Sequence, residues 1–206
     1  MTKYYAGAAI LAVVAGLGLS LGLMTIGRSG DPFGPCRTTA VAGGTASIGG
    51  PFTLLSESGD TVTDRDVITK PSLVYFGYTF CPDVCPLDTV RNADAVELLA
   101  SRGYDVLPVF ISVDPMRDTP EVLDDFTANI HPDMLGLTGT PDQIKEAAAA
   151  YAAYYRVHES EDEFYLVDHS TFTYLVLPEL GFVEFFRRDI PEEVLADRVA
   201  CFLDAI

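Results

Sequence analysis

The sequence predicts an α/β sandwich with a mixed central sheet, preceded by one N-terminal transmembrane helix. Two near-continuous apolar runs, residues 72–78 and 106–113, have the composition of strands buried on both faces, as parallel strands are. The segment between them, residues 87–102, carries apolar residues at helical spacing and completes a strand–helix–strand unit. Upstream of this pattern, the run Ala6–Ile26 contains no charged residue, which indicates the membrane helix.

The N-terminal run is long enough to cross a bilayer, because roughly 20 helical residues span a hydrocarbon layer of about 30 Å. Lys3 precedes the run and Arg28 follows it, so the positive-inside rule does not decide its orientation. The alternative is a cleaved secretory signal, but such signals hold only about 7–15 apolar residues, and no A-x-A cleavage site follows. We expect an uncleaved anchor over residues 1–28, in a single-pass protein of the cell inner membrane whose soluble domain lies in the periplasm.

The exported part is predicted to be a linker followed by one acidic domain. Residues 29–48 are rich in Gly, Ala, Thr and Ser and are typical of a linker, whereas residues 49–206 form the domain. The chain has 30 Asp and Glu against 13 Lys and Arg, a net charge of −17, and no acid precedes Asp31. Such a negative field excludes nucleic-acid binding and steers towards cations or basic protein partners, although for most of these charges a role in solubility is the favoured interpretation.

The elements of the domain are marked by turn and capping residues. A hairpin is predicted over residues 51–63 around the turn Gly59-Asp60. Thr119 and Thr140 mark two helix starts, since each is followed by a proline, which is favoured at the first helical position. Further strands are predicted over 164–167, 172–177 and 181–186, and Pro191 opens a closing amphipathic helix.

Two of the four cysteines lie at the two ends of the exported part. Cys36 precedes the predicted domain and Cys201 lies in its last helix. In an exported compartment the two could form a disulfide that joins the N-terminal segment to this helix. The alternative is that Cys201 is a small buried residue of the helix without a partner. The sequence leaves both open.

The other two cysteines, Cys81 and Cys85, lie where the strand of residues 72–78 passes into the following helix. This junction favours thiolates, because a helix N-terminus carries positive partial charge. A dithiol at such a junction is similar to that of thioredoxin-like enzymes, which have two intervening residues where this chain has three. At helical spacing the two sulfurs converge on one face of the helix. Because Pro86 cannot donate a helical hydrogen bond, the regular helix is predicted to begin near Pro86. The spacing alone does not decide between a redox pair and a metal site.

A histidine would decide it, and the chain has three. His131 is predicted to lie on the surface in a loop, and His158 to face solvent among acidic residues. His169 ends a predicted strand, in a loop expected at the dithiol end of the sheet. Two thiolates and one imidazole suit Cu(I) in trigonal geometry and could also hold Cu(II), whereas zinc would want a fourth ligand.

Several motifs resemble the signature of the Sco/SenC family, in the order in which that family has them. They are Val74–Pro86, Phe110–Pro115, Arg117–Pro120, Gly136–Gly139 and Val167–His169. The resemblance implies a membrane-anchored, thioredoxin-like three-layer sandwich that binds copper through Cys81, Cys85 and His169. It also implies a partner, subunit II of cytochrome c oxidase, whose binuclear CuA centre the family helps to assemble. Other copper chaperones are possible further partners.

These observations favour a metallochaperone that delivers Cu(I) and/or Cu(II) to the CuA site. The alternative is an enzyme, a thiol-disulfide oxidoreductase that keeps the CuA cysteines reduced, with Cys81 as nucleophile and Cys85 as resolving thiol. A redox-signalling module without copper delivery is a third interpretation. Three acids near the site, Asp83, Asp114 and Asp118, also invite a role. Asp83 either starts the helix, or receives a basic partner or tunes the thiolates; for Asp114 a turn-forming role is favoured over hydrogen bonding around the site, and for Asp118 no specific role is predicted.

Overall fold

The computed structural model describes residues 31–37, 48–158 and 164–206. Within them the strands are β1 (Thr53–Ser56), β2 (Thr61–Thr63), β3 (Ser72–Gly77), β4 (Leu107–Ser112), β5 (Leu135–Thr138), β6 (Tyr155–Val157), β7 (Val167–His169), β8 (Thr173–Leu177) and β9 (Gly181–Phe186). The helices are α1 (Asp64–Val67), α2 (Val84–Ser101), α3 (Pro120–Ala128), α4 (Pro141–Ala150) and α5 (Glu192–Asp204). The predicted membrane helix lies outside these residues. Among those described, no helix is both long and apolar enough to span a bilayer.

The main sheet has seven strands in the order β2-β1-β5-β4-β3-β8-β9. The central strands β3, β4 and β5 run parallel, and the strands outside them pair antiparallel, so the predicted mixed sheet is confirmed. A separate two-stranded sheet joins β6 and β7. Because β8 runs antiparallel to β3, the start of β8 lies beside the carboxyl end of β3, where the dithiol follows.

Helices cover both faces of the sheet. On one face, α2 and α5 pack on Leu73 and Leu175, and α3 joins them through Phe126, whose ring lies 4.9 Å from that of Phe110. On the other face, α4 brings Tyr151 against Phe76, with ring centroids 5.5 Å apart. The result is three layers, with the carboxyl ends of the parallel strands opening at one edge.

The predicted helix starts and most strands are confirmed. Thr119 accepts a hydrogen bond from Val122 N, and Thr140 forms a capping box with Gln143. The strand predicted over residues 164–167 is wrong in position, since the strand is Val167–His169. Tyr165 is held instead by a side-chain hydrogen bond, from its hydroxyl to Asp114. Three further elements, β5, β6 and α1, were not predicted, and each is only three or four residues long.

The residues before the domain are packed onto it. Cys36 and Cys201 form a disulfide that joins this N-terminal segment to α5. Phe33 is buried, with its ring 5.4 Å from that of Phe202. Arg37 pairs with Asp31 and donates a hydrogen bond to the Val183 carbonyl. Residues 31–37, inside the predicted linker, therefore contribute to the core beneath α5.

Candidate metal centre

The strand β3 and the start of α2 position the two thiols. α2 begins at Val84, earlier than the start near Pro86 that the proline suggested. Pro86 is tolerated there because the first four N–H groups of a helix have no intrahelical acceptor. The Cys85 N–H instead points at the Cys81 sulfur, with 3.4 Å between N and Sγ. The helix start thus turns its free donors towards Cys81.

The two-stranded sheet positions His169. Its pairing sets Tyr155 opposite His169, and Ser170 N donates to the Tyr154 carbonyl at 2.8 Å. The Nδ1 atom of His169 lies 2.9 Å from the Ser170 carbonyl oxygen, which can only accept a hydrogen bond. Nδ1 therefore carries the proton, and Nε2 presents its lone pair. Nε2 lies 3.1 Å from Cys85 Sγ.

The structure brings the three predicted ligands together. Sulfur atoms of Cys81 and Cys85 and a ring nitrogen of His169 all lie within 4.8 Å of one another. Both cysteines are buried, with Cys81 8% exposed and Cys85 fully enclosed, and neither is in a disulfide. Two sulfurs and one imidazole nitrogen form a soft donor set, which fits copper in a three-coordinate site.

The environments of the two thiols differ. Burial raises the pKa of the Cys81 thiol, but hydrogen bonds from the backbone N–H groups of Cys85, Asp83 and Val84 outweigh it, and the net shift is downward. Burial raises the pKa of Cys85, more than a hydrogen bond from Tyr78 N–H can offset. Without metal, Cys81 therefore ionises at lower pH than Cys85. Burial also lowers the pKa of His169, which keeps its ring neutral and able to bind a cation.

Asp118 fixes the loop that carries Cys81. This buried carboxylate accepts hydrogen bonds from the backbone N–H of Thr79 at 3.0 Å and from its hydroxyl at 2.6 Å. It also accepts from the Ser112 hydroxyl at the end of β4. The residues just before Cys81 are thereby tied to the neighbouring strand, a role that the sequence analysis did not assign to Asp118.

Arg117 connects the cysteine loop with the segment that leads to His169. Its guanidinium carbon lies 3.6 Å from the centroid of the Tyr165 ring and 5.0 Å from that of Phe80. Asp114 accepts hydrogen bonds from both Arg117 Nε and the Tyr165 hydroxyl. The turn-forming role favoured for the Asp114 side chain is therefore wrong, because this side chain joins two loops around the site. Asp83 is the N-cap residue of α2 and makes no side-chain capping bond.

The remaining histidines lie away from the three ligands. His158 is exposed as predicted, and its Nε2 lies 2.7 Å from Asp168 Oδ2. The prediction of a surface position for His131 is wrong, since its side chain is only 7% exposed. Its Nε2 lies 2.9 Å from Glu97 Oε1, and its Nδ1 accepts from Asp133 N–H. His131 therefore bridges α2 and the end of α3.

Comparison with known proteins identifies the family. The sequence model of SCO1/SenC matches residues 40–204. Protein SenC of Rhodobacter capsulatus is 58% identical over 205 residues, covering 100% of this chain and 92% of the relative. The chain belongs to the SCO1/SenC family. A further relative, the mitochondrial SCO1 homolog 1 of Arabidopsis thaliana, is 44% identical over 157 residues, which cover 76% of this chain and 47% of that protein.

Solved structures of this family share the fold. ScoI of Arabidopsis thaliana with copper bound has a TM-score of 0.74 at 42% identity, over 77% of this chain and 99% of that one. Yeast Sco1 with copper bound has a TM-score of 0.73 at 37% identity, over 78% of this chain and 90% of that one. These neighbours and the mixed sheet confirm the predicted thioredoxin-like α/β fold.

The difference between the thiols of this SCO1/SenC protein predicts an order of modification. With both thiols reduced and no copper present, iodoacetamide should alkylate Cys81 at least about tenfold faster than Cys85, because only a thiolate attacks. The alkylation rate of Cys81 should rise with pH and level off above the pKa of its thiol. Because this pKa is lowered, the rise should occur at lower pH than for an ordinary thiol. Mass spectrometry after partial labelling measures both rates. Equal rates, or faster labelling of Cys85, would contradict the assignment.

Gly77 is required by the close approach of β3 to the site. A Cβ atom at this position would lie 2.9 Å from Tyr75 Cε1, 3.0 Å from Phe110 Cε2 and 3.2 Å from Cys85 Sγ. Gly77→Ala should therefore destabilise the domain by about 2 kcal/mol and displace Cys85. Denaturant unfolding and copper competition measure the two effects. Gly50→Ala, whose new methyl meets only the Ala150 side chain at 3.3 Å, is the control and should leave copper affinity unchanged.

Proposed function

We propose that this protein is a copper chaperone that takes part in cytochrome c oxidase assembly and binds its cargo through Cys81, Cys85 and His169. The observation that carries the proposal is the convergence of these three ligand atoms within 4.8 Å. The three side chains already lie close enough to bind one ion without a large movement of the backbone. The donor set is soft, which favours Cu(I) and accommodates Cu(II).

The relatives support copper as the cargo. Two family members with the same fold, from Arabidopsis thaliana and yeast, have structures with copper bound. A third, BsSco, is 26% identical with a TM-score of 0.60 over 75% of this chain and 94% of that one, and is described as a member of the Sco family of cytochrome c oxidase assembly proteins. We extend these properties to this chain because it shares the fold of these relatives and has a donor set that suits copper.

The recipient that we propose is the CuA centre of cytochrome c oxidase subunit II. Copper would pass by ligand exchange, in which a thiolate of the recipient replaces one ligand of the donor before the others release. Of the two thiolates, Cys81 is the better placed to be exchanged first, since Cys85 is fully enclosed. The excess of acidic residues would favour a recipient with a basic docking surface.

A transfer experiment tests this function. The full-length protein, reduced and loaded with copper without oxygen, is mixed with the copper-free subunit II whose CuA cysteines are reduced. We expect copper to move from the donor to subunit II, and the absorption bands of the mixed-valence CuA centre to appear once the product is oxidised by one electron per pair of coppers with ferricyanide. If copper stays on the donor, or reaches subunit II no faster than free copper does, delivery to CuA would be excluded.

Thiol-disulfide exchange is the second candidate function. The lowered pKa of Cys81 and the buried partner thiol of Cys85 are what a nucleophile and a resolving cysteine need. The BsSco structure, by its description, identified a disulfide switch in that protein. In this chain the reaction would form the Cys81–Cys85 disulfide and reduce the disulfide of the CuA cysteines. Oxidised in this way, the pair could not bind Cu(I).

We also propose that the protein is held at the cell inner membrane by residues 1–28, with its domain in the periplasm. The uncharged run Ala6–Ile26 supports the anchor. The disulfide between Cys36 and Cys201 supports an oxidising compartment for the domain. Fractionation and protease treatment of spheroplasts test the arrangement. The protein should be found in the membrane fraction, and protease added outside the spheroplasts should then digest its domain.

A further inference from the structure

A buried carboxylate lies on α2 one turn after Cys85. The side chain of Asp88 is only 4% exposed, and its Oδ1 lies 3.3 Å from Nε of Arg188, which follows β9. The arginine of α2, Arg91, is buried, and it donates to the Arg187 carbonyl, the Asn92 side chain and the Thr173 hydroxyl rather than to Asp88. The ion pair therefore joins a buried carboxylate next to the metal site, that of Asp88, to the guanidinium of Arg188, which is 42% exposed.

Tyr75 joins this ion pair to the ligands. Its hydroxyl donates to Asp88 Oδ2 at 3.0 Å, and the side chain is buried. Its ring meets the His169 ring edge-on, with centroids 6.1 Å apart. Tyr75 also lies close to Cys85, because a Cβ atom built on Gly77 would lie 2.9 Å from Tyr75 Cε1 and 3.2 Å from Cys85 Sγ. Tyr75 therefore holds the Asp88 carboxylate in a fixed position below two of the three ligands.

The two copper valences give the site different charges. Two thiolates, a neutral imidazole and Cu(I) carry one net negative charge, whereas the same ligands with Cu(II) are neutral. A nearby buried negative charge raises the free energy of the Cu(I) form relative to the Cu(II) form, and a positive charge does the opposite. The charges of Asp88 and Arg188, close to a buried site, therefore change the binding free energies of Cu(I) and Cu(II) by different amounts.

We propose that Asp88 and Arg188 set the relative affinity of the site for Cu(I) and Cu(II), with Tyr75 as the positioning residue that fixes the carboxylate. This inference rests on the copper-binding function proposed above and deepens it. Asp88 favours Cu(II), Arg188 favours Cu(I), and the balance between them determines which valence the protein retains. Neither residue touches the metal, so both act through their charge.

Competition with chromophoric chelators, one selective for each valence, tests the proposal on the full-length protein. Asp88→Asn should raise the ratio of Cu(I) to Cu(II) affinity about tenfold. Arg188→Gln should lower the ratio by less, about threefold, because the Arg188 guanidinium is 42% exposed and its charge is partly screened. A tenfold change corresponds to about 59 mV in the reduction potential of the bound copper. Arg188→Lys keeps a positive charge at this partly exposed position, so its ratio should lie within about twofold of the parent.

Matched controls separate this effect from a general change of charge. Asp94→Asn removes an exposed acid from the same helix, and Arg187→Gln removes the exposed neighbour of Arg188. Both should leave the ratio within about twofold of the parent, because exposed charges are screened. Loss of packing alone would weaken both valences together.

Three outcomes are decisive. Shifts of opposite sign in Asp88→Asn and Arg188→Gln support the inference. An unchanged ratio, or shifts of the same sign, in variants that still bind one copper would overturn it and leave the proposed function intact. If the parent protein binds neither valence, the proposed function is contradicted, and this inference with it.

Discussion

His169→Ala is expected to lower the copper affinity of the reduced protein by roughly 100-fold or more while leaving thiol-disulfide exchange within about twofold of the parent. The substitution removes the nitrogen ligand and leaves two sulfurs, so copper loses one of its three bonds to the protein. The thiol chemistry is retained because Cys81 obtains its stabilising hydrogen bonds from the backbone at the start of α2. Chelator competition measures the affinity, and reduction of a small-molecule disulfide measures the exchange rate.

His158→Ala is the matched control. This histidine belongs to the same hairpin, but it is exposed and pairs with Asp168. Its removal should leave both copper affinity and exchange unchanged. Parent-like copper affinity in His169→Ala would refute the three-ligand site and favour a dithiol function. Loss of exchange in His169→Ala would show that the histidine also acts in the thiol reaction.

Removal of the Cys36–Cys201 disulfide should strongly destabilise the domain. The two cysteines are 165 residues apart, so the cross-link restricts most of the unfolded domain. Cys36→Ser combined with Cys201→Ser should lower the free energy of unfolding by about 4 kcal/mol. At this chain length that loss corresponds to a melting temperature lower by roughly 8–16 °C. Denaturant titration and calorimetry measure the change.

Copper binding should survive this double substitution. Cys36 and Cys201 belong to the core beneath α5, whereas Cys81 and Cys85 belong to the core that surrounds the site. The copper affinity of the folded double variant should therefore lie within about twofold of the parent, since substitutions at distant sites act independently. An unchanged unfolding free energy would contradict the disulfide. A large loss of copper affinity at a temperature where the variant is folded would show that the two cores are coupled.

The position of the dithiol could be predicted because its neighbours carry strong local signals. Residues 72–78 form a near-continuous apolar run, which is typical of a strand buried on both faces. The helix that follows has regular apolar spacing, so the junction between them is fixed to within a few residues. The exact helix start was misplaced, because Pro86 is unfavourable inside a helix but acceptable in its first turn.

The supports of the site could not be predicted, because they depend on contacts between distant segments. Tyr165 meets Asp114 across 51 residues, and Thr79 meets Asp118 across 39. The strand β6 is only three residues long and is exposed, so it has no apolar pattern of its own. His131 was misplaced for the same reason, since its partner Glu97 lies on another helix. An acid shortly after an apolar strand, as with Asp118, is the one sequence signal that could have suggested such a support.

The most direct test of the account is an anaerobic titration of the reduced full-length protein with Cu(I), followed by X-ray absorption spectroscopy of the product. We expect one copper per chain, coordinated by two sulfurs and one nitrogen. The same titration should show binding strongly weakened in Cys81→Ser, Cys85→Ser and His169→Ala. Stoichiometric binding that persists in all three variants, or a copper site without sulfur ligands, would contradict the assignment of Cys81, Cys85 and His169.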